Sequence, residues 1–410
     1  MSARFQAPRG TFDILPAEEA IRARVHFAAA ELNGRAGYGR IDTPIFEDTE
    51  LFARGVGAGT DIVHKEMFTF EDQGGRSLTL RPEATAAICR AYIEHGMQKL
   101  AQPVKLWTWG PFFRHERPQA GRFRQFHQLN VEAIGSDSPL VDAELIMLLD
   151  DLLRGLGVPG LKLRLSSLGT PASRAAYREE LLAYLREHEG ELSPDVRERM
   201  AENPLRAFDS KDPDTQAAIA EAPRMLDRID QADAEHFAEV RSLLDQAGVS
   251  YVLDGTLVRG LDYYTRTVFE FESESLDAQA ATIGGGGRYD GLVEAVGGPP
   301  TPGCGWAAGI ERILLALAEP PPEAVADVFV AAPDAQTGRA FALVQELRGA
   351  GLRAELDLAG RSLKGQMKQA DRIGARRTVI LDEQGEAEVR DMQSGEQTAL
   401  DLTRAAEALQ

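Results

Sequence analysis

Hydrophobic positions along the chain change period several times. Ile21, Val25, Ala28 and Leu32 recur at helical spacing, which predicts an amphipathic helix over residues 16–36. Pro16 suits its first turn, Glu18 and Glu19 suit the positive end of the helix dipole, and Gly34 and Gly37 stop it. A second helix is expected over 84–97. Val104–Trp109 is then a β-rich run, and Leu129–Ile134 alternates as a strand does. Residues 139–156 return to helix, with Ser138 as cap and Pro139 in the first turn. Leu161, Leu163 and Leu165 alternate with Lys162 and Arg164, predicting a strand with one wet face.

Residues 172–248 differ in character. They are rich in Ala, Glu, Arg, Leu and Asp and are broken at Asn203-Pro204 and Asp212-Pro213, which predicts a helical insertion. Strand character returns from 251, most clearly at Val268–Phe271. Three consecutive prolines between Glu319 and Glu323 predict a linker at 320–325, because proline blocks both helix and sheet. Beyond it, Asp327–Ala331 reads as a short buried strand. A helix, a strand and another helix follow, so 326–410 is expected to be a small α/β domain after a larger one at 1–319.

The length, 410 residues, suits two to four domains, and 43% hydrophobic with 27% charged residues describes a globular chain. No apolar run approaches the roughly 18 residues of a membrane helix. The N-terminus has no apolar segment of the secretory type. Cys89 and Cys304 stand far apart and outside any C-x-x-C, so neither a disulfide framework nor a cysteine zinc site is expected. A reducing cytoplasm fits best. Seven histidines include no H-E-x-x-H, and no metal site is predicted. The net charge of −19 argues against non-specific nucleic-acid binding while leaving room for a local basic surface.

Residues 112–128 supply such a surface. Arg114, Arg117, Arg122 and Arg124 stand among Phe123, Phe126, His115 and His127, and Pro118 and Gly121 mark a loop between two strands. Guanidinium forks suit phosphate oxygens, and an interleaved ring can stack on a base. A solvated hairpin with incidental arginines is the competing reading. In Val258–Phe271, Arg259-Gly260 puts a charge beside a flexible backbone point ahead of a strand. Tyr263 and Tyr264 there serve equally as half-buried anchors. Gly284–Gly287 lacks a following Gly-Lys-Ser/Thr and a Rossmann context, and a tight turn is expected there. In Gly303–Leu317 a glycine-rich strand enters a helix whose Arg312 is placed to clamp a polyphosphate. Glu83 and Thr85 offer a carboxylate and a hydroxyl to an ammonium group, although Pro-Glu-x-Thr is also an ordinary helix start.

Arg361, Lys364, Lys368 and Arg372 fall on one face of a predicted helix, opposite Leu363, Met367 and Ala370. Residues 348–377 hold eight Lys/Arg against three Asp/Glu, a local +5 that favours an RNA-contacting face over a merely solvated one.

Together these stretches resemble the histidyl-tRNA synthetases of class II, almost end to end, from Pro8-Arg-Gly-Thr-Phe-Asp-Ile-Leu-Pro16 to Arg361-Ser-Leu-Lys364. The arginine-rich hairpin looks like motif 2, Pro44 matches the motif 1 proline, and Gly309-Ile-Glu-Arg312 looks like motif 3. Residues 259–264 and 285–289 match two stretches particular to histidyl enzymes. The resemblance implies an α+β fold: an antiparallel-sheet catalytic domain with a helical insertion, plus a C-terminal α/β anticodon-binding domain. It implies a homodimer built on motif 1, with ATP, Mg²⁺ carried on the ATP, histidine and histidine tRNA as partners.

It also implies roles. Arg114 and Arg312 bind ATP phosphates with Arg122 beside them, Glu116 meets the adenine amino group, and Phe126 stacks on the ring. Arg259 stabilises charge at the α-phosphate, so Arg259 and Arg114 are the catalytic candidates. Glu83, Thr85 and Gln128 hold the α-amino group, while Glu132, Tyr264 and Tyr289 read the imidazole. Arg117 and Gln119 face the acceptor end of the tRNA. Three departures stand out: Ala84 where glycine is usual, a bulky Trp306 expected to narrow the ATP side, and a short 382–390 segment. A regulatory subunit of ATP phosphoribosyltransferase shares the catalytic core and is the alternative, and a pure RNA-binding sensor is a third. The intact arginine set and the presence of 326–410 favour the ligase.

Overall fold

The computed structural model describes residues 5–57, 60, 62–257, 259–277, 280–317 and 326–410. The expected linker at 320–325 lies outside the described residues. Two compact units divide the chain, 1–318 and 319–410.

The first unit runs α1 (Pro16–Arg35), β1 (Gly39–Arg40), β2 (Phe46–Asp48), α2 (Thr49–Val56), β3 (Phe68–Glu71), β4 (Ser77–Leu80), α3 (Thr85–Glu94), β5 (Val104–Phe113), β6 (Gln125–Ile134), α4 (Pro139–Leu156) and β7 (Leu161–Ser167). Four helices follow: α5 (Pro171–Glu187), α6 (Pro194–Arg199), α7 (Pro213–Ala218) and α8 (Gln231–Gln246). It closes with β8 (Val252–Leu253), β9 (Thr265–Ser273), β10 (Thr282–Arg288), α9 (Leu292–Ala295), β11 (Gly303–Gly309) and α10 (Ile310–Ala316). Eight strands form one sheet in the order β1-β5-β6-β11-β10-β9-β7-β8. The six central strands pair antiparallel, and the two edge pairs, β1·β5 and β7·β8, are parallel.

Strand alternation gives the sheet two faces. On one, Trp107, Leu129, Val131, Cys304, Trp306 and Ala308 pack against α1, α4 and α8 in the largest core. On the other, Leu106, Phe112 and Ile134 pack against α3 with Tyr289, next to the cleft described below. The predicted 139–156 helix is α4. The Ser138 hydroxyl accepts from the Leu140 amide at 3.3 Å, and Gly157 closes the helix at φ 84°.

Two expectations change here. The glycine run Gly284–Gly287 is not a tight turn but the body of β10, hydrogen-bonded between β9 and β11. A Cβ on Gly286 would overlap the carbonyl of Gly305, so the missing side chains let β10 and β11 press together at the floor of the cleft. The helical stretch 172–248 divides as well. Residues from Tyr177 to Met225 build their own core, whereas α8 sends Phe237, Val240 and Leu244 into the main one.

The second unit holds β12 (Val328–Ala331), α11 (Thr337–Gly349), β13 (Ala354–Leu356), α12 (Leu363–Arg372), β14 (Arg377–Leu381), β15 (Ala387–Asp391), β16 (Gln397–Leu400) and α13 (Ala405–Leu409). Its sheet order is β13-β12-β14-β15-β16, parallel around β12 and antiparallel beyond β14. The meander β14–β16 was not expected from the sequence; one strand was. The short 382–390 segment is a tight hairpin closed by the Asp382 amide on the Glu386 carbonyl at 3.0 Å.

Candidate active site

One face of β6 carries the site. Gln128, Asn130 and Glu132 alternate toward the cleft, while Leu129 and Val131 enter the core behind. Glu132 is 1% exposed. It accepts from the Tyr289 hydroxyl at 2.6 Å and from Thr85 Oγ1 at 2.8 Å. Burial pushes its carboxyl up to about 8, against the lowering effect of those two hydroxyls. A Cβ on Gly305, its cross-strand neighbour, would overlap the carboxylate, so the glycine makes room for it.

Glu83 is also buried, and burial raises its carboxyl above the usual range. It accepts from the amides of Thr85 at 2.6 Å and Ala86 at 2.9 Å. Glu83 therefore opens α3, as an ordinary helix start does, and also lines the cleft. Ala84 sits at φ −99°, which alanine adopts without strain, so the usual glycine is not needed. Tyr263 packs between Tyr264 and Tyr289, with ring centroids at 4.7 and 5.9 Å. The Gln128 Oε1 is buried without a hydrogen-bond partner in the protein, an acceptor left for a ligand.

Four arginines also line the cleft. The loop between β5 and β6 is pinned by Arg114, whose amide donates to Arg124 O at 3.0 Å and whose Nε donates to Pro82 O at 2.9 Å. The Arg114 guanidinium lies 5.5 Å from the centre of the Phe126 ring. Arg122 pairs with Glu116 at 2.9 Å. Arg312 donates to the carbonyls of Gly121 at 3.1 Å and Thr282 at 2.6 Å. Burial, then repulsion from Arg122, lowers its pKa. Arg259 is ion-paired with Glu270 and lies 5.5 Å from the Tyr264 ring centre. Its burial, the largest influence, opposes the charge, but Glu270 together with the hydroxyls of Tyr264 and Tyr263 outweighs it and the net shift is upward.

These residues line one cavity of about 360 Å³, with Thr282, Gly284 and Gly285 along its floor. Of the expected site residues, Glu83, Thr85, Arg114, Glu116, Arg122, Phe126, Gln128, Arg259, Tyr264, Tyr289 and Arg312 border it, and Glu132 is bonded to Tyr289 in its wall. Arg117 is exposed on the loop, and Gln119 forms a backbone bridge with Arg122 there. Trp306 packs with Cys304 and Ala308 in the core on the helix face and also borders the cavity, beside Gly305, Ala307 and Gly309.

Tyr263, Glu270, Asn130 and Glu311 border the cavity without having been singled out as ligands. Tyr263 adjoined a predicted ligand, and Glu270 was an acid between two buried phenylalanines. Glu311 gave no signal, because its partners Arg22 and His127 are 289 and 184 residues away.

The second unit carries the basic helix. Lys364, Lys368 and Arg372 are exposed on α12. Arg361 precedes the helix and pairs with Asp357, which sets it apart from the other three. Leu363 is 38% exposed, and the inward stripe is Gln366, Met367 and Ala370 instead. Gln366 is held inward by the backbone of Ala332, with bonds of 2.8 Å in both directions.

The histidyl-tRNA synthetase family model matches residues 10–313, and an anticodon-binding domain model matches 327–410. The chain belongs to the histidyl-tRNA synthetase family. It is 49% identical over 399 residues to a histidine–tRNA ligase of Thermosynechococcus vestitus, covering 96% of this chain and 93% of the relative. A Moorella thermoacetica histidine–tRNA ligase is 50% identical over 406 residues, covering 96% and 95%. Its fold matches the apo histidyl-tRNA synthetase of S. aureus with TM-score 0.81 at 39% identity, over 99% of both chains. A Bacillus halodurans structure described as an ATP phosphoribosyltransferase regulatory subunit/histidyl-tRNA synthetase matches with TM-score 0.68 at 25% identity, over 90% of this chain and 97% of that one. Near-full-length kinship to ligases, with the anticodon-binding unit present, disfavours the regulatory reading.

Proposed function

We propose that the cleft joins histidine to ATP as histidyl-adenylate and passes the histidyl group to the 3′ end of histidine tRNA. The observation that carries this is the cleft's pairing of buried acids with arginines. Buried Glu83 borders the cavity and buried Glu132 is bonded to Thr85 and Tyr289 in its wall, while Arg114, Arg122, Arg259 and Arg312 line the same cavity. The buried acids suit an α-ammonium group and an imidazole N–H, and the arginines suit a polyphosphate.

Glu83, Thr85 and Gln128 hold the α-amino group, while Glu132, Tyr264 and Tyr289 read the ring. A side chain without ring nitrogens would leave Glu132 and its hydroxyl partners unpaired, a penalty that separates substrates by orders of magnitude. Phe126 stacks on adenine, Glu116 meets its amino group, and Arg114, Arg122 and Arg312 hold phosphates. Arg259, paired with Glu270 in the resting site, meets the charge that develops at the α-phosphate as the histidine carboxylate attacks and pyrophosphate leaves. No covalent enzyme intermediate is required. Mg²⁺ would arrive on the ATP phosphates and offset their charge, with Glu270, which borders the cavity, as a carboxylate that could help hold it. Among the described residues no group of three or more His, Cys, Asp or Glu is placed to hold a cation.

Arg117 and Gln119 face the acceptor end of the tRNA, and Arg361, Lys364, Lys368 and Arg372 its body. The chain works as a homodimer in a reducing cytoplasm. Exposed Phe27, Ile45, Phe46 and Phe70 support the first statement, and the free buried Cys89 and Cys304 fit the second. No helix among the described residues is long and apolar enough to cross a membrane. Charging of histidine tRNA by the purified chain, with labelled histidine and ATP, tests the proposal: label on the tRNA supports it, and none would refute it.

A further inference from the structure

The stretch Pro8–Phe12 does not line the cleft, yet it grips the arginine-rich loop. The Arg124 amide donates to Gly10 O at 2.7 Å. Gly10 has φ 85°, and a Cβ there would stand 2.8 Å from Arg124 Cγ and 3.0 Å from Pro118 Cγ, so the chain can pass this close only as glycine. Two residues on, the Phe12 ring lies 4.6 Å from the Phe123 ring and 5.7 Å from the Arg22 guanidinium. Arg22 is buried and donates to Glu311 at 2.9 Å. Glu311 also accepts from the His127 amide at 3.0 Å and contacts its Nδ1 at 3.1 Å. Contacts therefore run without a gap from Phe123 in the loop, through Phe12, Arg22 and Glu311, to the backbone between Phe126 and Gln128. The residue after Glu311 is Arg312.

We propose that residues 8–12 are a strap that sets the conformation of the 114–124 loop, with Phe12 as a positioning residue for ATP and for the tRNA acceptor end. The kinetic part of this rests on the function proposed above; the conformational part does not. Phe12→Ala removes the ring that joins Phe123 to Arg22. In the full chain, limited trypsin digestion should cut after Arg114, Arg122 or Arg124 about tenfold faster than in the unmodified protein, because the loop opens more often. KM for ATP in histidine-dependent pyrophosphate exchange should rise about tenfold, with KM for histidine within about twofold. Phe12→Leu, which keeps most of the apolar contact, should restore part of both effects and serves where Phe12→Ala folds poorly. Loop cleavage at the unmodified rate, or a parallel rise in both KM values, would overturn the strap. If the unmodified chain shows no exchange, the functional reading fails, and the digestion still decides the conformational claim.

Discussion

Glu132 is the residue whose environment makes the largest quantitative demand. Its carboxyl is buried against two hydroxyls and is pushed up to about 8 from an ordinary 4.5. A carboxyl that holds its proton more tightly folded than unfolded stabilises the fold below pH 4.5. That stabilisation is lost as pH rises through about 8. At 1.36 kcal/mol per pKa unit the whole loss is about 5 kcal/mol. About 3 kcal/mol of it falls between pH 5.5 and 8.5. Glu132→Gln removes the titration while keeping the shape, since an amide can accept from one of the hydroxyls and donate to the other. Urea unfolding followed by tryptophan fluorescence reports on the first unit alone, because Trp107, Trp109 and Trp306 all lie there. The stability of the unmodified protein relative to Glu132→Gln should fall by about 3 kcal/mol from pH 5.5 to 8.5. Saturating histidine should reduce that fall, because the imidazole N–H stabilises the carboxylate. Parallel pH profiles for the two proteins would refute the buried, perturbed carboxyl.

Other perturbations have equally definite outcomes. Arg259→Ala should lower the exchange rate by about 10²–10³ while histidine binding, read by calorimetry, stays within a few-fold. Gly305→Ala pushes a methyl into the Glu132 carboxylate and should raise KM for histidine far more than KM for ATP in exchange assays. Charge reversal at Lys364, Lys368 and Arg372 together should weaken tRNA binding and flatten the salt slope of log K by about 2 to 3, and an unchanged slope would return this helix to a solvated face.

Much of this fold was legible because local signals agreed with tertiary ones. The α4 helix carried its cap, its proline and its apolar period in one stretch, and the arginine-rich loop carried proline and glycine at its tip. The glycine run was misread because glycine advertises backbone freedom but not its use. Here it serves close strand packing, which depends on β9 and β11 lying alongside. The meander β14–β16 hid behind charged alternation, Glu388 and Arg390 facing outward from short strands. The boundary of the insertion was lost because α8 resembles its neighbours in composition and differs only in what it packs against. In the site, residues in continuous motifs were visible. Glu270 and Glu311 were not, since each acts through a partner that the fold brings to it.

The central claim, that this cleft activates histidine, is tested most directly by ATP–pyrophosphate exchange on the purified chain, with each of the other amino acids as a control. Exchange that depends on histidine and on no other amino acid is the predicted result. Exchange with a different amino acid, or none from folded protein, would contradict the account.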